Sequence, residues 1–381
     1  MIAAKQAPIT VTAATDRCAV LPGADVVVTT IGVGGRRAWE ADVFIPRQYG
    51  IFQPVGDTTM PGGISRAMRM VPALVAIAND VSRLCPRATF INYANPMTVN
   101  CWAVRQATSA KVIGLCHGVH DVTRELAMLI GAPPNEVTSL GVGLNHFTWI
   151  YDLRWRGADA WPLVRERVAA LDAPARRQNP FAWSLFDAYG AYPAVNDRHV
   201  TEFFPERFPQ GSYYGRQLGV DAFSFEGTIA GGDRHFAAMR AQATGAAPLD
   251  ERIFDRGEGE HEQLIEILAS LRQDKRQIFS VNLPNQGTVP GLPADAILEM
   301  PAAATGRGFL ALQSPALPPA LLAPIARRVT VCALTVEAAL TGDRALWREA
   351  LLADGAVTDQ ATADRLVEAM LAAHRAYLPQ F

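Results

Sequence analysis

ADVVVTTIGVGG, residues 24–35, is the stretch on which the fold turns. Val26, Val27 and Val28 run straight into Thr29, Thr30 and Ile31, without the polar alternation of a strand wetted on one face. Such a run is expected of a parallel strand covered on both sides. Upstream, ITVTAATD (9–16) is a second short β-branched run and reads as another strand. Downstream, ISRAMRMVPALVAIANDVSRLC (64–85) has helical spacing, with Met68, Val71, Leu74, Val75 and Ala78 along one stripe. ATFINYANP (88–96) reads as strand and polar turn, TVNCWAVRQAT (98–108) as helix, and AKVIGLCHG (110–118) as strand and turn again. DVTRELAMLIG (121–131) is a helix with Asp121 as its N-cap and Gly131 just past its end. VTSLGVGLNHFTWIYDLRW (137–155) supplies one or two more strands. Repeated strand–helix–strand units imply an α/β fold with a doubly wound, mostly parallel sheet over residues 1–150. Ligands of such sheets gather at the carboxyl ends of the strands. NYANP, CHG and GLNH each follow a strand, so all three are expected on that edge.

Residues 151–381 are mainly helical and form a second domain. ADAWPLVRERVAAL (158–171), GEHEQLIEILASLRQ (259–273), ALLAPIARRVTVCALTVEAALTG (320–342) and ATADRLVEAMLAAHRAY (361–377) are amphipathic helices. QIFSVNLPNQGTVPGLPADAILEMPA (277–302) reads as strands and turns between them. Pro- and Gly-rich LDAPARRQNPF (171–181) and RFPQGSYYGRQ (207–217) read as loops.

The 381 residues, 49% apolar and 19% charged, have globular composition. A net charge of −2, with no Lys/Arg run longer than two, argues against a nucleic-acid partner. No apolar run reads as long enough to span a bilayer, so no membrane partner is expected. The first residues have no Lys/Arg-flanked apolar core and do not read as a signal peptide. Cys18, Cys85, Cys101, Cys116 and Cys332 are scattered, with no CxxC pair. That usage fits a reducing, cytoplasmic setting. A dinucleotide-binding sheet opens with strand, G-x-G-x-x-G turn and helix. GVGG (32–35) lacks the third glycine, and GVGLNH (141–146) leads into a strand, so neither is that fingerprint.

Four motifs can carry chemistry. Cys116–His117 is open to three readings: buried filling, a thiol with its base, or part of a metal site. Neighbours near a strand point apart, which disfavours the thiol–base pair. A metal needs further donors from the same edge, and His146 of GLNH offers one. One thiolate and one imidazole suit a borderline divalent ion with open positions. NYANP (92–96) is either a plain turn or a site for a ribose, a nicotinamide or a sugar hydroxyl. YGAYPAVNDRHVTEFFP (189–205) sets Asp197, Arg198, His199 and Glu202 among aromatic residues, and a buried Asp or Tyr there is a candidate for proton transfer. In GDTTMPGGI (56–64), Asp57 is able to bind a hydroxyl, and the Gly62–Gly63 amides to form an anion nest.

Taken in order, GADVVVTTIGVGG, GDTTMPGGI, NYANPM, GLCHG, GLNHFTW, YGAYP with NDRHVTEFFP, GEHEQLIEIL and VNLPNQGTVPGLPADAILEMP resemble glycoside hydrolase family 4. These glycosidases depend on NAD and a divalent metal and stand outside two-carboxylate glycosidase chemistry. The resemblance covers nearly the whole chain from about residue 9. It implies a Rossmann-like sheet with a helical α+β domain, as in lactate and malate dehydrogenases. It also implies Cys116 and His146 as ligands of Mn²⁺, and Asn95, Asn145, Asp57 and His199 as sugar contacts. Gly32, Val33 and Asn92 would line NAD. CHG with GDTT resembles the α-glucosidase and α-uronidase branches, especially glucuronidases and galacturonidases, so a small oligosaccharide or glycoside is the expected substrate. The implied reaction is oxidation at sugar C3 by NAD, metal-assisted loss of the C2 proton, elimination at C1, addition of water and re-reduction. Asp197 is the first choice for the C2 base and Tyr189 the second, with His117 assisting the leaving group or contacting the sugar.

Three departures accompany the resemblance. The family's first strand, glycine turn, helix and second strand have no counterpart before residue 24, a gap of at least roughly 30 residues. This implies an N-terminal truncation or a start at the wrong methionine. Met60 stands where members carry glycine, and Arg36 and Arg37 are out of register with an arginine expected near Trp39. Two other readings are a hydroxy-acid dehydrogenase of the malate or lactate kind, and a remnant that binds sugar or a partner without turnover. The apolar C-terminal helices imply a homodimer or homotetramer.

Overall fold

In the computed structural model, which describes residues 1–171, 178–254 and 263–381, the valines of 26–28 do form a strand. In chain order the first elements are β1 (Val26–Thr29), α1 (Gly35–Arg47), α2 (Met60–Leu84), β2 (Thr89–Asn92), α3 (Met97–Ala107), β3 (Ile113–Gly114) and α4 (Gly118–Leu129). A long hairpin, β4 (Val137–Leu144) and β5 (Phe147–Trp155), follows, then β6 (Ala158–Asp159) and α5 (Trp161–Ala170). The remainder comprises α6 (Pro180–Tyr189), β7 (Tyr192–Pro193), α7 (Asp197–Val200), β8 (Ser212–Tyr213), β9 (Arg216–Gln217), α8 (Phe225–Ala243) and α9 (Leu264–Gln273). It ends with β10 (Gln277–Pro284), β11 (Ile297–Thr305), β12 (Gly308–Ala311), α10 (Pro319–Thr341), α11 (Arg344–Asp354) and α12 (Gln360–His374). The start of the helix expected from residue 259 lies outside the described residues.

One sheet joins the two halves, in the order β1-β2-β3-β10-β11-β4-β5-β6. Only β1, β2 and β3 run parallel; β10 and β11 insert antiparallel between β3 and β4, so the sheet is mixed. An expected boundary at 150/151 therefore falls inside β5, within a continuous ladder. The register aligns Thr29, Asn92, Gly114, Asn282, Glu299, Gly143 and Thr148 in one row across the sheet. The carboxyl ends of β1–β3 and the β4–β5 tip thus reach the same level. For the hairpin this comes from register, because β4 runs against β3.

Three local expectations are corrected. ITVTAATD forms no strand: Ile9 is 60% and Val11 71% exposed, and β-branched residues with no neighbouring ladder gain nothing from extension. Helix α4 starts at Gly118 with His117 at its N-cap, and Asp121 lies in its first turn. The Gly62 and Gly63 amides bind no anion. They donate to Gln53 Oε1 (3.0 Å) and to the Thr59 carbonyl (3.0 Å). A Cβ on Gly63 would meet the Thr58 backbone at 2.3 Å, so these glycines let the 56–59 turn lie flat on α2.

Helix α10 is long and apolar enough to cross a membrane by length and composition, contrary to the sequence reading. Here Leu321, Ile325, Val329 and Val336 of this helix are buried in the main core, which also contains Met68, Val71 and Leu74 of α2. Arg328, at mid-helix, forms a buried ion pair with Asp354 of α11. The same carboxylate accepts from the Thr59 hydroxyl (2.9 Å) and the Met60 amide (3.2 Å), closing the N-terminus of α2 from another part of the chain. Met60 itself is buried with a left-handed φ of +58°, the conformation glycine takes most easily.

Candidate active site

Three turns and a short helix meet at this level of the sheet: Gly56–Thr59 before α2, Asn92–Pro96 after β2, Asn145–His146 at the β4–β5 tip, and α7. Leu144 pairs with Phe147, so Asn145 and His146 form a two-residue hairpin loop, and His146 takes φ +62°. A left-handed histidine carries strain of about 1–2 kcal/mol, of the kind found at functional sites.

The donor atoms of Asp57, His146 and His199 all lie within 4.8 Å of one another, a group able to hold a metal ion. The two imidazole rings are 4.3 Å apart. Thr58 Oγ1 donates to Asp57 Oδ1 (2.7 Å) and lies 2.9 Å from His146 Nδ1. With the hydroxyl proton directed at the carboxylate, the Thr58 oxygen accepts from an Nδ1–H of His146. That tautomer leaves Nε2 with the lone pair a metal requires. Asn95 Nδ2 donates to Asp57 Oδ2 (2.9 Å), so both carboxylate oxygens are oriented. Burial would raise the Asp57 carboxyl, but His146, His199, Arg66 and the Thr58 hydroxyl hold it well below the usual range. Burial lowers both histidines, His199 further through its neighbour His146. The group therefore presents one carboxylate and two neutral imidazoles, a donor set suited to a divalent transition metal.

Cys116 is not one of the three; its sulfur accepts from the Gly118 amide at 3.4 Å. A Cβ on Gly118 would meet the Ala194 carbonyl at 2.9 Å, so the cysteine turn packs closely on the segment leading to α7. Asp57 and His199, read from sequence as sugar contacts, stand beside His146. His117 Nδ1 is 2.7 Å from Asp121 Oδ2.

Other expected site residues have structural duties. Asp197 is fully buried. Its carboxylate accepts from the amides of Phe181 (2.8 Å) and Ala182 (2.7 Å) and from the Tyr213 hydroxyl (2.5 Å). It is a remote cap on α6 and is not placed to act as a base on sugar. Tyr189 lays its ring edge-on to Trp149 at 5.3 Å, against the main core. Asn92 Oδ1 accepts from the Thr29 hydroxyl (2.9 Å) and the Ala94 amide (3.1 Å), while Nδ2 donates to the Ala94 carbonyl (2.9 Å). With both ends engaged and 1% exposure, it is not available to a cofactor. Asn145, equally buried, donates to Glu299 Oε2 (3.2 Å) and so braces the hairpin on β11, while its Oδ1 has no hydrogen-bond partner among the described residues.

Gly32 and Val33 sit in the turn between β1 and α1, where Gly34 and Gly35 take φ +78° and +61°. No side chain caps α1. Arg69 Nε donates to the Val33 carbonyl (2.9 Å), and Arg66 Nε donates to the Asn95 carbonyl (3.0 Å). A Cβ on Gly32 would lie 3.5 Å from Arg66 Nη2, so Arg66 bridges the glycine turn and Asn95. Thr58 and Arg66 were missed in the sequence reading; their spacing from Asp57 in GDTT and from Gly62–Gly63 in PGGISR was the available signal.

The sequence matches the family described as family 4 glycosyl hydrolase over residues 1–132 and its C-terminal domain over 141–357. An α-galactosidase of Rhizobium meliloti is 31% identical, over 100% of this chain and 79% of the relative. An α-galacturonidase of Bacillus subtilis is 34% identical, over 92% and 82% respectively. A candidate glucosidase of Bacillus subtilis has a solved structure that is 32% identical, with a TM-score of 0.78 over 93% of this chain and 85% of that one. The fold is also that of a Thermotoga maritima 6-phospho-β-glucosidase solved with manganese, NAD⁺ and glucose-6-phosphate. Its TM-score is 0.79 at 23% identity, over 98% of this chain and 86% of that one.

Proposed function

This chain belongs to family 4 of the glycosyl hydrolases and is a glycosidase; we propose that it hydrolyses an α-glycoside or α-uronide, with NAD and Mn²⁺ as cofactors. The observation that carries the reading is the Asp57–His146–His199 group set beside Asn95 at the carboxyl ends of the parallel strands. The names of the relatives favour an α-galacturonide first and an α-galactoside second.

The residues present fit both groups. Asp57, His146 and His199 would hold the metal, with Cys116 on the adjoining turn as a further donor. The Gly32–Gly35 turn, with the uncapped N-terminus of α1 behind it, would receive the dinucleotide. When bound, NAD supplies reversible oxidation at the sugar and the metal supplies Lewis acidity. Asn95 Oδ1 is buried without a hydrogen-bond partner among the described residues, and a sugar hydroxyl would satisfy it. Asp121 Oδ2, 2.7 Å from His117 Nδ1, orients the imidazole, and from that position His117 would deliver a proton to the departing oxygen. The five cysteines form no disulfide among the described residues, which supports a cytoplasmic setting, and exposed Phe236 and Met239 on α8 support a homodimer or homotetramer. No nucleic-acid or membrane partner is proposed.

The test is a panel of nitrophenyl α-galacturonide, α-galactoside, α-glucuronide and α-glucoside, with and without NAD⁺, Mn²⁺ and thiol reductant. Turnover requiring both cofactors, without net NADH accumulation, is expected. Undiminished hydrolysis after both are stripped refutes the reading. Stoichiometric NADH with malate or lactate would instead mark a dehydrogenase, and folded protein silent on every substrate a binding remnant.

A further inference from the structure

One buried carboxylate near the site has no part in the chemistry above. Glu202 is 2% exposed and lies three positions after His199, on the helical stretch that begins with α7. Its Oε1 accepts from the amides of both Val55 and Gly56, at 2.8 Å each. These are the two amides immediately before Asp57. Gly56 has φ +63°, and a Cβ there would meet Gln53 Nε2 at 2.5 Å and Val43 Cγ2 at 2.6 Å. The turn is therefore tight and tolerates little displacement. Among the described residues, the other polar fastenings of the 197–203 stretch lie elsewhere: Asp197 on α6 at its start, Arg198 on the Thr228 hydroxyl, and the Arg328 guanidinium on the Phe203 carbonyl at its end. Glu202, among the described residues, makes the hydrogen bonds that join this stretch to the 55–57 turn. Asp57 and His199, two members of the metal-competent group, stand on the two segments it joins.

We propose that Glu202 is a positioning residue that sets the approach of Asp57 to His199 by holding the Val55 and Gly56 amides, without itself touching metal or substrate. The role rests on the metal reading of the Asp57–His146–His199 group. It predicts that a side chain keeping one acceptor oxygen at that point preserves the site. Gln does so, because its carbonyl oxygen can receive both amides; Ala does not.

The experiment compares full-length wild type, E202Q and E202A by two readouts: Mn²⁺ affinity by calorimetry, and hydrogen exchange of the Val55 and Gly56 amides. E202A is expected to weaken Mn²⁺ binding by about tenfold or more, as loss of a residue supporting a metal ligand does, and to lose protection at both amides. E202Q should keep the protection and stay within about threefold of the wild-type affinity. If E202A does not fold, E202D, which retracts the carboxyl by one methylene, takes its place with the same expected direction. Wild-type affinity in E202A or E202D, or E202Q failing as badly as E202A, overturns the proposal. A wild type that binds no Mn²⁺ refutes the metal reading. Amide exchange still decides whether Glu202 holds the turn, and unchanged protection in E202A overturns that as well.

Discussion

Asp197 sits two positions before His199, yet its carboxylate is taken up entirely by Phe181, Ala182 and Tyr213. Burial raises its pKa, and the hydroxyl and two amides pull it back. D197A leaves two helix-terminal amides without an acceptor and should cost about 1–3 kcal/mol of stability. Turnover per folded molecule should fall by less than about tenfold, far short of the about 10²–10⁴ that a lost general base costs. Denaturant melts together with kcat on the folded fraction check this, and a loss of the larger size at unchanged stability would restore Asp197 as the base. Glu202 behaves differently with pH. Burial pushes its carboxyl up to about 8, against the pull of the Val55 and Gly56 amides. Its unfolded value is about 4.3, so the folded state holds the extra proton between those limits. Stability from this group is complete below about pH 4.3 and is lost as pH rises towards 8, at up to about 1.4 kcal/mol per unit. E202Q cannot titrate, so the stability of wild type relative to E202Q should fall from pH 5 to pH 8; parallel profiles would exclude a displaced Glu202 titration.

Helices α1, α2 and α12 are joined by a buried ion pair that reaches the glycine turn. Arg69 of α2 makes a two-pronged pair with Asp42 of α1, and His374 Nε2 of α12 lies 2.9 Å from the same carboxylate. All three side chains are essentially inaccessible to water. The Arg69 Nε–H is directed at the Val33 carbonyl, so the pair also fastens the turn proposed to receive NAD. R69M strands the Asp42 carboxylate in the core and should cost about 3–5 kcal/mol. In whatever fraction stays folded, NAD affinity should fall with it. Urea unfolding and NAD titration measure the two effects, and wild-type stability in R69M would contradict the network. Such elements are half-legible in sequence. The valines of β1 and the stripe of α2 encode strand and helix because those depend on neighbours along the chain. Nothing near Arg69 in sequence indicates that its partner is Asp42.

Across the whole molecule, one row of paired residues from Thr29 to Thr148 brings the strand ends and the hairpin tip to one level. β10 and β11, from late in the chain, complete that row between β3 and β4. A ligand bound only by the assembled site stabilises the whole fold through mass action. Mn²⁺ at about 100 times its dissociation constant should raise wild-type stability by about 2.7 kcal/mol. D57A and H199A should show no such rise in thermal melts, and an equal rise in either would place the ion elsewhere. Most strands and helices, the family, and the GDTT, NYANP, GLNH and NDRH segments that carry the site could be read from motifs spread over residues 24–301, because periodicity and turn chemistry are local properties. The duties of individual polar groups could not. Asp57, His146 and His199 become one donor group, and Asp197, Asn92 and Asn145 become braces, only when distant segments meet. A carboxylate or amide has several hydrogen bonds it can make, and which of them it makes is decided by the amides and hydroxyls that tertiary packing brings within reach.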